Sequence, residues 1–427
     1  MTTEPSTSKT DWVIACHLDY GDASALAIVR EHDGGIVAES LPVTTAAGGD
    51  INHRVAFIGI DDRNRPVIHN PQTKETAAVP AMPADARFAY AYRDPGSARV
   101  WFMNDGDRDG NDTLCCGQNG SSVAIVSKDN GGADFVDTLC VGRGHHVTAF
   151  SQPTDAFPGM PHRAFVSNLK DGTISVLGND PSDAVSFLKV IATVNLCDTR
   201  FEKESDVSIP NNAFPHGMEF SPLTGKLYCL SNGYHSVAVV DPFNQEVEKT
   251  VQMEVSSNLL LSPCGGFLIG KGADRKSDPH HVVGRLSVMD VVKGEMVFSL
   301  DLPDIYPSVY RFGPGGDRLY VTTAATGKDV QRQNLKTGVL QIYDATALPE
   351  LTLLKEIELA PTDSGRRPIA FFERGDGSLA FVPNPTQGTL TVLDAGSDEV
   401  LATVNLGAGD IQEFSFSFWN DRRVYGA

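Results

Sequence analysis

Three histidines of the chain share one local sequence pattern. His53 begins HRVAF, His146 begins HVTAF and His216 begins HGMEF, so an aromatic residue follows each histidine four positions later. Each histidine also stands at the start of a predicted innermost β-strand, where equivalent positions can face one axis. Three imidazoles that leave a coordination position open are what a catalytic copper, iron or zinc site requires. The pattern therefore predicts a transition-metal site, with His281 in DPHHVVGR as a fourth ligand.

The equivalent positions of other predicted strands carry Ser257, Ser308 and Arg367. Hydrogen-bond donors of this kind, together with imidazoles, suit an anionic or oxygen-rich small-molecule substrate. Arg367 is the predicted catalytic residue. A structural interpretation stands beside this one, because a histidine at a solvated strand start can bond to water or to a neighbouring carbonyl group.

An acidic stretch, NDGDRDGNDTLCCGQNG, interrupts one of the predicted repeat units. Asp105, Asp107 and Asp109, followed by Gly110, match the first half of a calcium-binding loop, in which alternate carboxylates converge on one cation. The twelfth position holds Cys116 instead of the glutamate of an EF-hand. The spacing predicts a structural calcium site of simpler geometry, and the alternative is a solvated acidic turn.

Short strands that recur along most of the chain must position these residues. A predicted second strand ends in segments such as AFVSN, LYCLSN and AFVPN. A third strand, often ending in Asp, recurs as SSVAIVS, GTISVLG, SVAVVD, GRLSVMD, GVLQIYD and GTLTVLD. Units of about 40 residues with four short strands each are typical of a β-propeller.

The alternation of these two motifs resembles the YVTN-type propeller repeats. That superfamily also includes the lactonase-type propellers and the propellers similar to the quinoprotein amine dehydrogenase beta chain. The resemblance covers residues 85–407 and implies an architecture more than a chemistry. PHGMEFSPLTGKLY is similar to a pattern of lactonase-type propellers, in which histidine and arginine at the channel would polarise a lactone carbonyl.

The two ends of the chain each carry part of one unit. Residues 12–43 contain three strand-like runs that lack a preceding first strand, and residues 411–418 alternate as an innermost strand does. We therefore expect the C-terminal strand to pair with the N-terminal blade and close the ring. The predicted fold is all-β. The chain is predicted to consist of a disordered tail over 1–11 and a single β-propeller domain over 12–427. Seven blades are predicted, with eight as the alternative if the weak unit at 53–83 is a full blade.

Composition narrows the classes of partner. The formal net charge of −19 argues against nucleic acid or an anionic membrane surface as a partner. No apolar run is long enough to span a membrane, so a soluble protein is expected. Seven cysteines are too few for a disulfide framework, and mostly reduced thiols are expected. The start MTTEPSTSKTDW lacks the features of a signal peptide, which predicts a cytoplasmic protein, or a periplasmic one if a signal has been removed.

Three classes of function are compatible with these patterns. The first is a metal-dependent oxidoreductase that uses the histidine cluster. The second is a lactone hydrolase, and the third is a non-catalytic propeller that binds a protein partner. The sequence contains no G-x-S-x-G nucleophile elbow and no C-x-x-C-H haem-attachment motif.

Overall fold

The structure is a computed structural model that describes residues 13–20, 24–42, 57–60, 66–70, 75–78, 88–97, 99–104, 121–127, 134–144, 147–197, 213–374, 377–417 and 424–425. Nearly all of its regular structure consists of antiparallel β-sheets, which we number along the chain. Sheet 1 contains β1 (Val13–Asp19), β2 (Ser24–His32), β3 (Gly35–Pro42) and β31 (Glu413–Ser417). Sheet 2 contains β4 (Phe57–Ile60), β5 (Pro66–Asn70) and β6 (Glu75–Ala78).

The next three sheets have four strands each. Sheet 3 contains β7 (Phe88–Arg93), β8 (Arg99–Asn104), β9 (Ser122–Ser127) and β10 (Asp134–Cys140). Sheet 4 contains β11 (Thr148–Ser151), β12 (Arg163–Asn168), β13 (Thr173–Gly178) and β14 (Val190–Asn195). Sheet 5 contains β15 (Pro215–Ser221), β16 (Lys226–Ser231), β17 (Ser236–Asp241) and β18 (Glu246–Gln252).

The last three sheets complete the series. Sheet 6 contains β19 (Asn258–Leu261), β20 (Phe267–Asp274), β21 (Val283–Asp290) and β22 (Glu295–Pro303). Sheet 7 contains β23 (Pro307–Phe312), β24 (Arg318–Thr323), β25 (Val339–Asp344) and β26 (Thr352–Glu358), with the short helix α1 (Asp329–Arg332) between its second and third strands. Sheet 8 contains β27 (Ala370–Arg374), β28 (Gly377–Asn384), β29 (Thr389–Asp394), β30 (Glu399–Asn405) and β32 (Val424–Tyr425).

Neighbouring sheets pack face to face through apolar side chains. Separate buried clusters join sheets 3 and 4, 4 and 5, 5 and 6, 6 and 7, 7 and 8, and 8 and 1. Sheet 2 contacts sheet 1 through β4. This succession of small sheets, each buried only against its neighbours, is the arrangement of a β-propeller. The predicted all-β propeller fold is therefore confirmed.

The C-terminal strand β31 pairs antiparallel with β1, with Cys16 opposite Phe416 and Leu18 opposite Phe414. The predicted pairing of the two chain ends is therefore present. Seven sheets have four or five strands, and the weak unit forms the three-stranded sheet 2. The number of blades and the closure of the ring stay predictions, and the N-terminal tail lies outside the described residues.

The residues that recur in the repeats have structural roles. Asp241 at the end of β17 accepts a hydrogen bond from the amide of Phe243 at 2.7 Å, an Asx turn that leads the chain into the fourth strand. Equivalent turns follow the third strands of sheets 6, 7 and 8. Asn384 at the end of β28 donates to the hydroxyl groups of Thr389 and Thr391 on the third strand. Gly388, between them, has φ of 64°, which favours glycine.

The described cysteines differ in oxidation state. Cys16 and Cys229 are buried free thiols, and Cys197 and Cys264 are free as well. Cys140 is disulfide-bonded. The four free thiols agree with the expectation of mostly reduced cysteines, and Cys140 is the exception among the described ones.

A buried polar network joins sheets 3 and 4. Arg99 donates from Nη2 to the Asp94 carboxylate at 3.0 Å and to the side chain of Asn179 at 2.9 Å, and Asn179 donates to the same carboxylate at 3.0 Å. All three residues are buried. The carboxylate of Asp94 compensates the positive charge of Arg99 in this buried network.

We expect the substitution Asp94→Ala to lower the free energy of unfolding by about 3–5 kcal/mol, because it leaves a buried guanidinium without its counter-charge. Urea denaturation followed by circular dichroism measures this change. The matched control is Asp301→Ala, which removes the partner of the more exposed Arg285 and is expected to cost no more than about 1 kcal/mol. Equal effects of the two substitutions would contradict the role given to the buried network.

Candidate functional site

Most of the predicted metal ligands fall outside the described residues. This is true of His53 and His146 in the proposed histidine cluster, and of Asp105, Asp107 and Asp109 in the proposed calcium loop. Both sites therefore stay predictions. The described residues themselves contain no group of three or more histidine, cysteine or acidic side chains placed to hold a metal ion.

Two of the predicted ligands are described. His216 is half-buried near the start of β15, opposite Leu230 in the sheet register. His281 lies on an exposed loop, where its Nδ1 is 2.7 Å from Oδ1 of Asp304. The hydrogen bond and the charge of Asp304 raise the pKa of His281. The structure thus gives His281 a carboxylate partner at the surface.

Arg367, the predicted catalytic residue, is fully buried. Its backbone amide donates to Oγ of Ser308 at 2.8 Å, and its Nη2 donates to the carbonyl oxygen of Ala360 at 2.6 Å. In this conformation the guanidinium has no surface on which a substrate could bind. The structure thus joins Arg367 to Ser308 through a backbone hydrogen bond and buries the Arg367 side chain, and the catalytic role of Arg367 stays a prediction.

Four other charged residues come close together where the innermost strands meet. We call them the inner cluster: Glu219 on β15, Lys271 on β20, Arg311 on β23 and Arg366 just before β27. They come from sheets 5 to 8. Glu219, Arg311 and Arg366 are half-buried, and Lys271 is buried. The protein as a whole has a net charge of −19, whereas the inner cluster contains three basic residues and one acidic residue.

The inner cluster is close enough for its members to affect one another's protonation. Burial raises the pKa of Glu219 to about 7, although the positive charge of Arg311 and a hydrogen bond from the backbone of Leu261 oppose this shift. Burial also lowers the pKa of Arg311, and the negative charge of Glu219 opposes that change. The charge of Tyr92 on β7 of sheet 3, like that of Glu219, raises the pKa of Arg311. A carboxyl group with a pKa near neutrality can both accept and return a proton at physiological pH.

Lys271, a member of the inner cluster, connects sheets 6 and 7. Its Nζ donates to the carbonyl oxygen of Pro307 at 3.1 Å and also to that of Ser308, and it lies 5.8 Å from the ring centroid of Tyr310. Burial lowers the pKa of Lys271 to about 7, and the charges of Arg366 and Arg311 lower it further. Since two carbonyl groups hold Nζ in place, Lys271 fixes the start of β23 and adds to the positive field.

Two loops of neighbouring sheets are joined to each other, and we call them the rim. They are residues 275–282 of sheet 6 and 324–338 of sheet 7, both of which connect a second strand to a third. The fully buried Gln331 holds them together, because its Nε2 donates to the carbonyl oxygens of Asp278 at 2.8 Å and His281 at 3.3 Å. The two loops of the rim are therefore held together, because a side chain of one is hydrogen-bonded to the backbone of the other.

Sequence reasoning missed the inner cluster. A signal was present, because Glu219 is the fourth residue of HGMEF and Arg311 is the fourth residue of SVYRF, the corresponding segment of sheet 7. A charged residue inside an apolar innermost strand is unusual and points to a role at the centre of the ring.

Comparison with known proteins gives a fold but no family. No protein-family model and no curated protein matches the sequence. Among solved structures, the periplasmic gluconolactonase of Pseudomonas aeruginosa is similar with a TM-score of 0.58 and 13% identity, over 95% of this chain and 99% of that one. A candidate 6-phosphogluconolactonase of Bacteroides fragilis is similar with a TM-score of 0.55 and 13% identity, over 97% and 99% of the two chains.

The similarity is not confined to lactonases. Hydrazine synthase of Kuenenia stuttgartiensis is similar with a TM-score of 0.52 and 15% identity, over 81% of this chain and 97% of that one. At such identities the comparisons establish a shared fold only. The resemblance to lactonase-type propellers that the repeats predicted is confirmed at the level of the fold.

Proposed function

We propose that the protein is a hydrolase that opens lactones of small sugar acids at the inner cluster. The observation that carries the proposal is Glu219, a half-buried carboxyl group whose pKa burial raises to about 7 and on which the positive charge of Arg311 acts. The fold shared with a gluconolactonase supports the choice of lactones as substrate class. A metal-dependent oxidoreductase, the first interpretation of the histidines, receives less support from these findings.

In the proposed reaction, the lactone carbonyl oxygen lies against the guanidinium groups of Arg311 and Arg366. Their positive charge stabilises the negative charge that develops on this oxygen when water attacks the carbonyl carbon. The carboxylate of Glu219 takes the proton of the attacking water. The bond between the carbonyl carbon and the ring oxygen then breaks, and the protonated Glu219 returns its proton to the ring oxygen. The products are one hydroxyl group and one carboxylic acid, which loses its proton to the solvent. The cations hold the resulting carboxylate until release.

Lactone turnover tests the proposal. Proton release from glucono-δ-lactone and other sugar lactones is followed at constant pH, and spontaneous hydrolysis is subtracted. We expect turnover of at least one sugar lactone by the purified full chain, with the same rate after treatment with a chelator. A rate that disappears on chelation and returns with copper, iron or zinc would favour a metal-dependent enzyme instead. Turnover of none of these lactones would contradict the proposal.

The pH dependence of the rate follows from the role of Glu219. As a general base it must be ionised, so kcat/KM is expected to rise with pH and to level off above about 7, where its carboxyl group is deprotonated. Initial rates between about pH 5 and pH 8, corrected for spontaneous hydrolysis, measure this profile. A profile that is flat through this range would mean that no group with a pKa near 7 limits the reaction.

We also propose that the protein is periplasmic. None of the helices in the described part of the chain has the length and apolarity needed to span a bilayer. The Cys140 disulfide supports the periplasmic alternative over the cytoplasmic one, because structural disulfides persist mainly in oxidising compartments.

A further inference from the structure

A β-bulge in the first strand of sheet 7 lies directly before Arg311. The register of β23 against β24 shifts over Ser308 and Val309, which together lie opposite Thr322. An extra residue in a strand reverses the faces on which the following side chains lie, and a bulge beside an active site can redirect a side chain in this way. The direction of Arg311 therefore depends on the bulge.

A similar irregularity precedes Glu219. The register of β15 against β16 shifts between His216 and Met218, with Gly217 as the extra residue. Glu219 and Arg311 are thus each the second residue paired after a shift in register. The base and one of the cations of the proposed reaction are placed by the same kind of backbone feature.

Thr322 bonds to the polar groups of the bulge in sheet 7. Its Oγ1 accepts a hydrogen bond from the amide of Val309 at 3.0 Å. The single hydroxyl hydrogen can be donated to the carbonyl oxygen of Val309 at 3.1 Å or to that of Arg367 at 2.5 Å. Thr322 is fully buried, so water does not compete for these bonds. One hydroxyl group therefore joins the bulge to the backbone that follows Arg366.

Ser308 makes a second bond to the same stretch of backbone. Its Oγ accepts a hydrogen bond from the amide of Arg367 at 2.8 Å, and this amide belongs to the peptide group that follows Arg366. The carbonyl oxygen of Ser308 accepts a hydrogen bond from Nζ of Lys271 on sheet 6. The bulge is thus bonded to sheet 6 on one side and to the approach to sheet 8 on the other.

These bonds act against a repulsion between the cations of the inner cluster. The charges of Arg366 and Arg311 lower the pKa of Lys271, and the charge of Arg366 also lowers the pKa of Arg311. Like charges move apart unless the backbones that carry them are fixed. A developing oxyanion is stabilised best by charges that are already in place, because no rearrangement is then needed during the reaction.

We infer that Thr322 is a positioning residue of the inner cluster, which acts through the bulge on Arg311 and through the carbonyl group of Arg367 on Arg366. Its hydroxyl group does not touch the substrate. It fixes the separation at which the two guanidinium groups reach the same carbonyl oxygen. The effect on the rate rests on the reaction proposed above, whereas the effect on the geometry rests on the contacts alone.

The substitution Thr322→Val keeps the shape of the side chain and removes its hydroxyl group. We expect kcat/KM for lactone hydrolysis to fall by about 10- to 100-fold, mainly in kcat, because a small misplacement of groups that stabilise the transition state has an effect of this size. Thr322→Ser restores the hydroxyl group and should recover most of the rate. A wild-type rate in Thr322→Val would overturn the inference.

The matched control is Thr323→Val. Thr323 is equally buried, but its hydroxyl group donates to the carbonyl oxygen of Val339 on the third strand of the sheet, at 2.9 Å. Both valine variants lose one buried hydrogen bond and should therefore have similarly lowered Tm values. Only Thr322→Val should lose rate. Equal losses of rate in the two variants would show that Thr322 stabilises the fold without positioning the arginines.

Crystal structures of the two valine variants test the positioning without reference to any reaction. The separation of the Cζ atoms of Arg311 and Arg366 should differ from that of the wild type by about 1 Å in Thr322→Val, and it should be unchanged in Thr323→Val. The wild-type separation in Thr322→Val would contradict the inference even if turnover falls. The expected change, in a protein whose wild type hydrolyses no lactone, would support the inference while the proposed reaction fails. If Thr322→Val does not fold, Ser308→Ala removes the other bond to the same backbone and is judged by the same outcomes.

Discussion

The substitution Glu219→Gln is expected to lower kcat/KM for lactone hydrolysis by about 10²- to 10⁴-fold, the contribution typical of a positioned general base. Glutamine has nearly the shape of glutamate, but its amide cannot take a proton from water. The hydrogen bond that Glu219 receives from the backbone of Leu261 can be kept by the amide oxygen. The fold should therefore survive, and the loss should appear in kcat rather than in substrate binding.

The matched control is Glu246→Gln, which changes an exposed glutamate at the start of β18 and should leave the rate unchanged. The pH profile gives a second readout. In Glu219→Gln the rise of the residual rate with pH toward 7 should be absent, because the titrating group has been removed. A variant that keeps the full rate or the same profile would remove Glu219 from the mechanism.

Deletion of residues 410–427 is expected to abolish stable folding. The deleted segment, which includes β31, places Ile411, Phe414 and Phe416 in the buried cluster between sheets 1 and 8, with exposures of only 3%, 5% and 5%. Full burial of a large apolar side chain stabilises a protein by about 1.5–3 kcal/mol, so these three together contribute on the order of 5–9 kcal/mol. Total stabilities of domains are about 5–15 kcal/mol. Differential scanning calorimetry of the truncated chain measures the loss.

A shorter deletion serves as control. Removal of residues 418–427 takes away β32 but leaves β31 paired with β1, so this chain should melt cooperatively. Equal melting temperatures for both deletions and the wild type would show that the C-terminal strand does not close the ring.

The fold could be predicted because its signals are local and repeated. The Asp at the end of the third strand and the Asn at the end of the second each form short-range hydrogen bonds, as Asp241 and Asn384 do. Local requirements of this kind recur in each unit and are therefore visible as motifs. The partial unit at each end of the chain was enough to predict the pairing of β31 with β1.

The candidate site could not be predicted in the same way. Glu219, Lys271 and Arg311 lie on strands of three different sheets, and Arg366 precedes the first strand of a fourth. Only the packing of these sheets brings the four residues together. Their spacing in the sequence follows no motif. Lys271 lies on a second strand, and its long side chain bonds to the start of the first strand of the next sheet.

Individual side chains also turn in directions that a pattern does not specify. His281 bonds to Asp304 on the linker that precedes β23, a partner 23 residues away. Arg367 matches the position of a channel residue in the repeat but turns inward to Ala360. The sequence gives the strand on which such a residue lies, whereas the choice between neighbouring groups depends on the packed structure.

A crystal structure with gluconate, the product acid of glucono-δ-lactone, tests the central claim most directly. The proposed reaction predicts that the product carboxylate lies within hydrogen-bond distance, about 3 Å, of the guanidinium groups of Arg311 and Arg366. It also predicts that the Glu219 carboxyl group is within the same distance of an oxygen of the ligand. Gluconate bound away from these residues, or not bound at concentrations that saturate turnover, would contradict the assignment of the inner cluster as the active site.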